Sequence, residues 1–289
     1  MTHRETRVAS SKREVILGAD RPVVVIGERI NPTGRASLAE TLRRGDMSIV
    51  RRDGLAQVQA GAQILDVNVG IPGGDQATLM AAAVRALQEV TDAPLCIDST
   101  DVAVLKAGLE AYEGKALVNS VNGEERSLGA VLPLVKEHDA AVIGLTMDDD
   151  GIPETAQDRL RVAEAILSRA VALGIPIQDV IFDPLALAVG ADTGAAHITL
   201  ETIRLIRARL GANVTLGVSN VSHGLPARPA LNATFCAMAL YAGVNCPIVN
   251  PLDTSMMVTI RAANLLLGQD EWAGEWIRAY RAARGRNTC

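Results

Sequence analysis

Residues 64–98, ILDVNVGIPGGDQATLMAAAVRALQEVTDAPLCID, contain the unit that decides the fold. The stretch begins with a short apolar run that includes Asp66 and ends at Asn68. An amphipathic stretch follows, from about Asp75 to Val90, with the apolar spacing of a helix. A second apolar run, residues 94–98, ends in another carboxylate. A strand, a helix and a further strand in this order indicate a βαβ unit with parallel strands.

The same unit recurs on both sides of this stretch. Before it, the sequence predicts a strand at residues 23–27 and a helix at Ser48–Ala60 that Gly61 ends. After it, strands are predicted at residues 116–119, 141–146, 179–183, 214–218 and 246–250, and helices at residues 101–112, before His138, and at residues 155–173, 198–210, 231–241 and 254–267. Nearly continuous apolar strands are typical of parallel strands covered by helices. Eight such units favour a single α/β (β/α)8 barrel, a TIM barrel, over a doubly wound open sheet, whose edge strands would be more polar.

Length and composition agree with one barrel. The chain has 289 residues, and only 2% of them are aromatic, which suits a barrel interior filled by aliphatic side chains. We predict an N-terminal extension at residues 1–21, the barrel at residues 22–268 and an extra C-terminal helix within residues 269–289. That helix carries Trp272 and Trp276, which pack either against the barrel or at a subunit contact.

Charge and patterning exclude several classes of protein. The net charge is −5, and basic clusters with interleaved aromatic residues are absent from the sequence, so no nucleic-acid partner is expected. No apolar run approaches the roughly 20 residues of a membrane span, and the polar first 20 residues do not resemble a secretion signal. The four cysteines are dispersed, which favours buried small side chains in a reducing cytoplasm over a metal or redox site. We therefore expect a cytoplasmic protein without a bound metal.

Polar residues follow the predicted strands at the end where such barrels hold their active sites. These strand-end residues are Glu28, Asp66, Asn68, Asp98, Asn119, Asp148, Asp183, Asn220 and Asn250. Some Asp and Asn residues here simply cap the next helix, and we interpret Asp148 to Asp150 and Asp101 as caps or as solvated loop residues. Asp66, Asp98 and Asp183 differ, because each terminates an apolar strand and needs a partner when desolvated. We predict that Asp98 and Asp183 contact a ligand.

The set lacks the groups of several common active sites. His223 is the only histidine in a strand-end loop, so zinc ligands do not converge. Neither a GxSxG elbow, a GxxxxGK[ST] loop nor a strand-end lysine occurs. Acceptors and amides without a nucleophile predict a site for a flat heterocycle that offers several N–H donors.

Seven motifs carry a resemblance to a known family, and the resemblance covers the chain from about residue 22 to residue 265. They are GERIN at 27–31, LDVNVG at 65–70, LCIDST at 95–100, VNSVN at 118–122, IGLTM at 143–147, FDPL at 182–185 and GVSNVS at 217–222. In this order they resemble the pterin-binding family, which includes dihydropteroate synthases and folate-dependent methyltransferases. Within it, the chain resembles the methyltetrahydrofolate:corrinoid methyltransferases.

The resemblance implies roles for individual residues. Asp98, Asn119 and Asp183 match positions that bind the pterin ring, and Asn220 matches the catalytic amide that reaches N5 and the methyl group. Arg228 matches an arginine in the loop after the seventh strand, and His223 stands where some relatives have glutamine. The remaining members of the folate-binding set that we predict are Glu28, Asp66 and Asn68.

The resemblance also implies a reaction: transfer of a methyl group between N5 of 5-methyltetrahydrofolate and the cobalt of a corrinoid protein. The direction is left open. The corrinoid is expected on a partner protein, because the chain has no DxHxxG motif, and a homodimer is expected. No strong acid is evident beside Asn220, so we expect catalysis by positioning and by stabilising a protonated N5. Alternatives are a dihydropteroate-synthase-like enzyme, which would need a strand-end lysine and a C-terminal Arg-x-His, and a non-catalytic folate-binding protein.

Overall fold

The computed structural model describes residues 4–286, without the side chains of residues 283, 285 and 286. The strands are β1 (Thr6–Ser10), β2 (Glu14–Leu17), β3 (Ile26–Ile30), β4 (Ile64–Val67), β5 (Leu95–Asp98), β6 (Gly114–Lys115), β7 (Leu117–Asn122), β8 (Ala141–Leu145), β9 (Val180–Asp183), β10 (Thr215–Gly217) and β11 (Cys246–Val249). The α-helices are α1 (Ala36–Arg43), α2 (Ser48–Ala60), α3 (Gln76–Val90), α4 (Val102–Ala111), α5 (Glu125–Glu137), α6 (Ala156–Ala172), α7 (Ala195–Leu210), α8 (Arg228–Ala242), α9 (Thr254–Leu266) and α10 (Gly274–Arg286). Short 3-10 helices lie at Ile177–Asp179, Val218–Ser222 and Glu271–Ala273.

Eight parallel strands form the barrel, in the order β10-β11-β3-β4-β5-β7-β8-β9. A parallel bridge between Phe182 and Val214 joins β9 to β10 and closes the ring. The predicted (β/α)8 barrel is therefore confirmed, and an open doubly wound sheet is excluded.

The first barrel strand lies further along the chain than predicted. The expectation was residues 23–27, whereas β3 spans Ile26–Ile30 and so contains Glu28 within the strand. Glu28 and Arg29 interrupt the apolar run, so the apolar pattern of the sequence did not indicate where the strand ends. The strand extends to Ile30 because the backbone N–H of Asn68 donates to the backbone carbonyl of Ile30 at 2.8 Å.

Side chains alternate between the barrel interior and the helices, as the pleat of a strand requires. The interior cluster includes Ile26, Ile64, Cys96, Leu117 and Ile181. Two residues further along each of these strands come Glu28, Asp66, Asp98, Asn119 and Asp183. The interior is thus apolar in its lower layers and polar in the layer at the carboxyl ends of the strands.

The amino ends of the barrel strands are covered by a small antiparallel sheet that the sequence did not reveal. Its strand order is β2-β1-β6. Val8 and Leu17 are fully buried and belong to the barrel's interior cluster. Asn213 Nδ2 donates to Thr6 Oγ1 at 2.8 Å and to the Leu17 carbonyl at 3.1 Å, which fixes the hairpin to the barrel. Residues 6–17 therefore complete the floor of the core.

Replacing Leu17 with alanine is expected to lower the free energy of unfolding by about 2–5 kcal/mol, because it leaves a cavity in this floor. Chemical denaturation followed by circular dichroism measures the change. Ile16→Ala is the matched control, since Ile16 lies on the opposite, half-exposed face of the same strand. Equal destabilisation by the two variants would contradict the proposed packing of the hairpin.

The structure also tests predictions made for residues outside the barrel strands. Asp101 accepts the Ala103 N–H at 2.8 Å and so caps α4, as predicted. Cys96, Cys236 and Cys246 are buried and free, while Cys289 lies outside the described residues. Trp272 is 89% exposed, so it does not pack against the barrel. Within residues 4–286, no helix is both long and apolar enough to cross a membrane.

Candidate ligand site at the barrel mouth

The polar layer at the mouth holds most of the predicted site residues on neighbouring strands. Asp98 on β5 pairs in register with Asn119 on β7. Asp183 ends β9, and Leu145 of β8 is its register partner. Asp98 and Asp183 therefore terminate their strands as predicted. Asp66 does not: it lies one residue inside β4 and is only 4% exposed.

Asp66 and Asn68 set the orientation of the two neighbouring polar residues. Asn119 Nδ2 donates to Asp66 Oδ1 at 3.1 Å, which leaves the Asn119 carbonyl oxygen as an acceptor for a ligand. Asn68 Nδ2 donates to Asp98 Oδ2 at 3.0 Å, and Asn68 Oδ1 accepts the Gly70 N–H at 2.8 Å. One oxygen of Asp98 remains for other partners. Asp66 thus orients the side chain of Asn119, and Asn68 orients that of Asp98.

The environments of the Asp66 and Asp98 carboxyls both favour the neutral form. Burial raises the pKa of Asp66 well above its ordinary value, and the negative charge of Asp98 raises it further. Burial also raises the pKa of Asp98, while the hydrogen bond from Asn68 opposes the shift. The negative charge of one carboxyl therefore makes ionisation of the other less favourable.

Asp183 lies across the mouth from Asp98 and is fixed by the loop that follows it. Its Oδ1 accepts the Leu185 N–H at 2.7 Å. Burial raises the pKa of Asp183 to about 6, against the effect of the Leu185 and Gly217 N–H groups and the charge of Arg159. With this pKa the group is a carboxylate in a largely desolvated position at neutral pH, which suits a ligand with N–H donors.

Arg159 organises the loop behind Asp183, and sequence reasoning missed it. The side chain is 1% exposed, and its Nη1 donates to the Pro184 and Leu185 carbonyls at 2.8 and 2.9 Å. Leu185 has a φ of 61°, a left-handed conformation that costs a non-glycine residue about 1–3 kcal/mol. The guanidinium thus stabilises a strained turn. The only sequence signal was an arginine on the apolar face of α6.

Asn220 lies in the 3-10 turn that follows β10 rather than on a strand, and its side chain is exposed at the mouth. A Cβ on Gly217 would be 3.1 Å from Asn220 Nδ2, so glycine there lets the amide lie close over the end of β10. Ser222 Oγ donates to Asn232 Oδ1 at 2.6 Å and accepts from Arg228 Nε at 3.0 Å. These bonds attach the turn to α8.

Arg228 and His223 complete this side of the mouth, and both are exposed. Arg228 is the first residue of α8, and its Nη2 donates to the Ser219 carbonyl at 2.9 Å. In the structure, Arg228 therefore holds the Asn220 turn. The backbone N–H of His223 donates to the backbone carbonyl of Asn220 at 3.2 Å, so His223 belongs to the same turn as Asn220.

Glu28 is on β3, which lies between β4 and β11 in the barrel. Gly27, the preceding residue, pairs with Leu65 on one side and with Val249 on the other, so Glu28 stands between Asp66 and Asn250. Burial raises the pKa of Glu28 to about 7, although the positive charges of Arg29 and Arg228 oppose the shift. A carboxyl that titrates near neutral pH thus lies close to the Asn220 turn, where the sequence had indicated no acid.

The site therefore combines fixed acceptors, oriented amides and one carboxyl that titrates near pH 7. Its acceptors suit a flat ring with an edge of parallel N–H donors, while the amide at the exposed rim can reach a group presented to solvent. No cluster of three or more His, Cys, Asp or Glu side chains in the described part of the chain could hold a metal ion.

Comparisons with known proteins identify the family of the chain. A family model described as "Pterin binding enzyme" matches residues 27–250. The methylcorrinoid:tetrahydrofolate methyltransferase of Eubacterium limosum is 28% identical over 270 residues, covering 91% of this chain and 97% of that protein. Methionine synthase of Mycobacterium tuberculosis is 32% identical over 259 residues, covering 85% of this chain. The chain spans only 22% of that synthase.

Solved structures of similar fold include two synthases. Yersinia pestis DHPS with a pterine–sulfa conjugate aligns with a TM-score of 0.70 at 17% identity, covering 90% of this chain and 98% of that one. Dihydropteroate synthase from Xanthomonas albilineans in complex with 7,8-dihydropteroate aligns with a TM-score of 0.69 at 20% identity, with the same coverage. At such identities the similarity establishes the fold alone.

Proposed function

Since this chain belongs to the pterin binding enzyme family, we propose that it transfers a methyl group between N5 of 5-methyltetrahydrofolate and the cobalt of a corrinoid protein. The observation that carries the proposal is the pairing of two features. An acceptor group of half-buried Asp98, half-buried Asn119 and buried Asp183 lies inside the mouth, and the Asn220 amide lies at its exposed rim. A tetrahydrofolate with its pterin ring inside would present N5 towards the rim.

In this proposal the acceptors bind the pyrimidine edge of the pterin. Asp183 accepts two parallel N–H donors, which contributes about 1.5–3 kcal/mol for each charge-assisted bond. Asn119 presents its carbonyl oxygen because Asp66 already accepts from its Nδ2. Asp66 and Asn68 act beneath the ligand as positioning residues, which refines their assignment to the folate-binding set.

Asn220 is the proposed catalytic residue. Its amide hydrogen-bonds N5 as charge develops there, and the Ser222, Arg228 and Asn232 bonds hold the turn in place for this contact. Holding the methyl group in line with an incoming cobalt lowers the barrier by orientation, in addition to the stabilisation of N5. Arg228 and His223 flank the amide and complete the folate-binding set.

The corrinoid is a substrate carried by a partner protein in this proposal. The exposure of Asn220, His223 and Arg228 leaves the methyl position open to a bulky partner. The similarity to the methylcorrinoid:tetrahydrofolate methyltransferase of Eubacterium limosum supports a corrinoid and a folate as the two reactants. We also propose that the protein forms a homodimer in which the exposed Trp272 contacts the second subunit.

A synthase activity fits the residues less well. The segment after β10 is Val218–Ser222, without the lysine that the synthase resemblance requires. No Arg-x-His motif occurs in the C-terminal segment of the sequence. We expect no pteroate to form when the protein is mixed with a dihydropterin pyrophosphate and 4-aminobenzoate.

Calorimetry with 5-methyltetrahydrofolate tests the binding part of the proposal. We expect saturable heat at micromolar ligand, and none with a quinoxaline, which lacks the amino and oxo groups of the pyrimidine edge. No heat with millimolar folate would contradict the proposed function.

Affinity for the folate is expected to fall as the pH is lowered through 6. Asp183 binds as a carboxylate, and its pKa of about 6 means that protons compete with the ligand below that pH. The dissociation constant should rise about tenfold for each pH unit below 6. Asp101→Asn is the control and should keep the same pH dependence, because Asp101 caps α4 outside the site. An affinity that is constant from pH 7.5 to 5 would contradict this account.

A further inference from the structure

Glu28 is an acidic group of the mouth that lies close to the Asn220 turn, and the proposed function gives it no step in the reaction. It shares a cavity of about 30 Å³ with Ser219, Asn250 and Asp253, which is room for a water molecule. Ser219 directly precedes Asn220, and its carbonyl accepts from Arg228. The carboxyl therefore lies beside the element that is proposed to contact N5.

The other acidic groups near this position are already engaged. Asp253 Oδ1 caps α9 by accepting the Ser255 and Met256 N–H groups at 2.9 and 3.3 Å. Asp66 accepts from Asn119, and Asp98 accepts from Asn68. Within residues 4–286, Glu28 is paired with no hydrogen-bond donor. Its carboxyl is free to gain or release a proton without breaking an internal bond.

Methyl transfer from N5 has a proton requirement. The N5–CH3 bond breaks with its electron pair left on nitrogen, while a lone pair of Co(I) forms the new Co–CH3 bond and the cobalt becomes formally Co(III). N5 then needs one proton to become the N5–H of tetrahydrofolate. In the opposite direction the same proton must leave N5.

We propose that Glu28, directly or through one water in the shared cavity, exchanges this proton with N5. The inference rests on the proposed function. In transfer from folate, the Glu28 acid donates its proton to N5 and is then reprotonated from solvent. In transfer to folate, the Glu28 carboxylate accepts the N5 proton.

The charges around Glu28 suit a group that works in both directions. Burial favours the neutral acid, and Asp66 on β4 is near enough for the charge of Glu28 to raise the pKa of Asp66. Arg29 on β3 and Arg228 on α8 favour the carboxylate, and Asp253 lies across the cavity at the start of α9. The opposing effects leave the pKa at about 7. A proton donor or acceptor is most effective when its pKa lies near the working pH.

The pH dependence of the initial rate tests the proposal in both directions. For transfer from 5-methyltetrahydrofolate to cob(I)alamin, the wild-type rate should fall about tenfold per pH unit above 7. For transfer from methylcobalamin to tetrahydrofolate, it should fall in the same way below 7. Glu28→Gln should remove both dependences near pH 7 and lower the forward rate at pH 6 by about 100-fold or more. Glu28→Asp, which keeps an ionisable carboxyl, should retain them at a reduced rate.

Two further variants distinguish the alternatives. His223→Gln tests the only histidine on the same turn, and its pH dependence should persist near 7. Glu124→Gln is the matched control, because Glu124 lines a separate mouth cavity beside β7, and it should match wild type. Loss of the pH dependence in His223→Gln but not in Glu28→Gln would overturn the proposal.

A second readout does not depend on transfer. Titration of the Glu28 carboxyl by carbon NMR, assigned as the signal missing from Glu28→Gln, should give a midpoint near pH 7 that moves when tetrahydrofolate binds. A midpoint near 4.5 would overturn the proposal. If wild type binds no folate and transfers no methyl group, the proposed function fails; if wild type transfers but Glu28→Gln keeps the same pH profile, only the Glu28 inference fails.

Discussion

Replacing Asn220 with alanine is expected to lower the rate of methyl transfer at least about 100-fold while weakening the binding of 5-methyltetrahydrofolate less than about tenfold. The amide lies at the exposed rim, whereas the proposed pterin contacts lie deeper in the mouth. Its hydrogen bond to N5 strengthens only as charge develops there, so its loss raises the barrier more than it lowers the affinity. Stopped-flow spectroscopy of cobalamin, combined with calorimetry of the folate, measures both quantities.

Asn122→Ala is the matched control for this variant. Asn122 is also an amide at the mouth, but it ends β7, three strands away around the barrel, and its Oδ1 accepts the Glu124 N–H at 3.1 Å. Its removal should change the transfer rate less than threefold. An unchanged rate in Asn220→Ala would show that the proposed contact with N5 is wrong.

Replacing Asp183 with asparagine is expected to raise the dissociation constant of 5-methyltetrahydrofolate by about 100-fold. The variant loses the charge that strengthens two bonds to the pyrimidine edge, each contributing about 1.5–3 kcal/mol. The amide is nearly isosteric, and its oxygen can still accept the Leu185 N–H, so the loop should keep its conformation.

The stability of this variant should move in the opposite direction to its affinity. Because burial raises the pKa of Asp183, the folded protein binds its proton more tightly than the unfolded chain, and stability is lost as the pH rises through 6. A neutral amide removes that loss, so at pH 7.5 the melting temperature should be equal to or higher than that of wild type. Asp192→Asn, in the same loop with its Oδ1 accepting the Gly194 N–H at 2.8 Å, is the control and should bind folate normally. Normal folate binding by Asp183→Asn would contradict the proposed pterin contact.

Much of the fold was predictable because it depends on local periodicity. The apolar strands and amphipathic helices identified the eight barrel strands, and the predicted helix at Ser48–Ala60 is reproduced. The β1–β2 hairpin was not identified, because its strands are four to five residues long and are stabilised by contacts with distant parts of the chain. Thr6 is one example, since it is buried against Asn213, more than 200 residues away.

The site was predictable only where a residue ends a strand or belongs to a motif. Asp98 and Asp183 could be singled out because they follow apolar runs. Arg159 could not, since its partners at residues 184 and 185 meet it only in the folded barrel. Glu28 was expected to be a strand-end ligand contact. Its distinctive environment depends on elements far apart in sequence, namely β4, β11 and the turn before α8, which only the closed barrel brings together.

The central claim is methyl transfer between folate N5 and a corrinoid, and transfer of isotopic label tests it most directly. The protein would be incubated with 5-methyltetrahydrofolate labelled in its methyl group and with millimolar cob(I)alamin, and label in methylcobalamin would be followed over time. We predict label that grows in proportion to wild-type protein and falls at least about 100-fold with Asn220→Ala. Folate binding in calorimetry without label in the cobalamin, in either direction of the reaction, would contradict the claim and leave a folate-binding protein that transfers nothing.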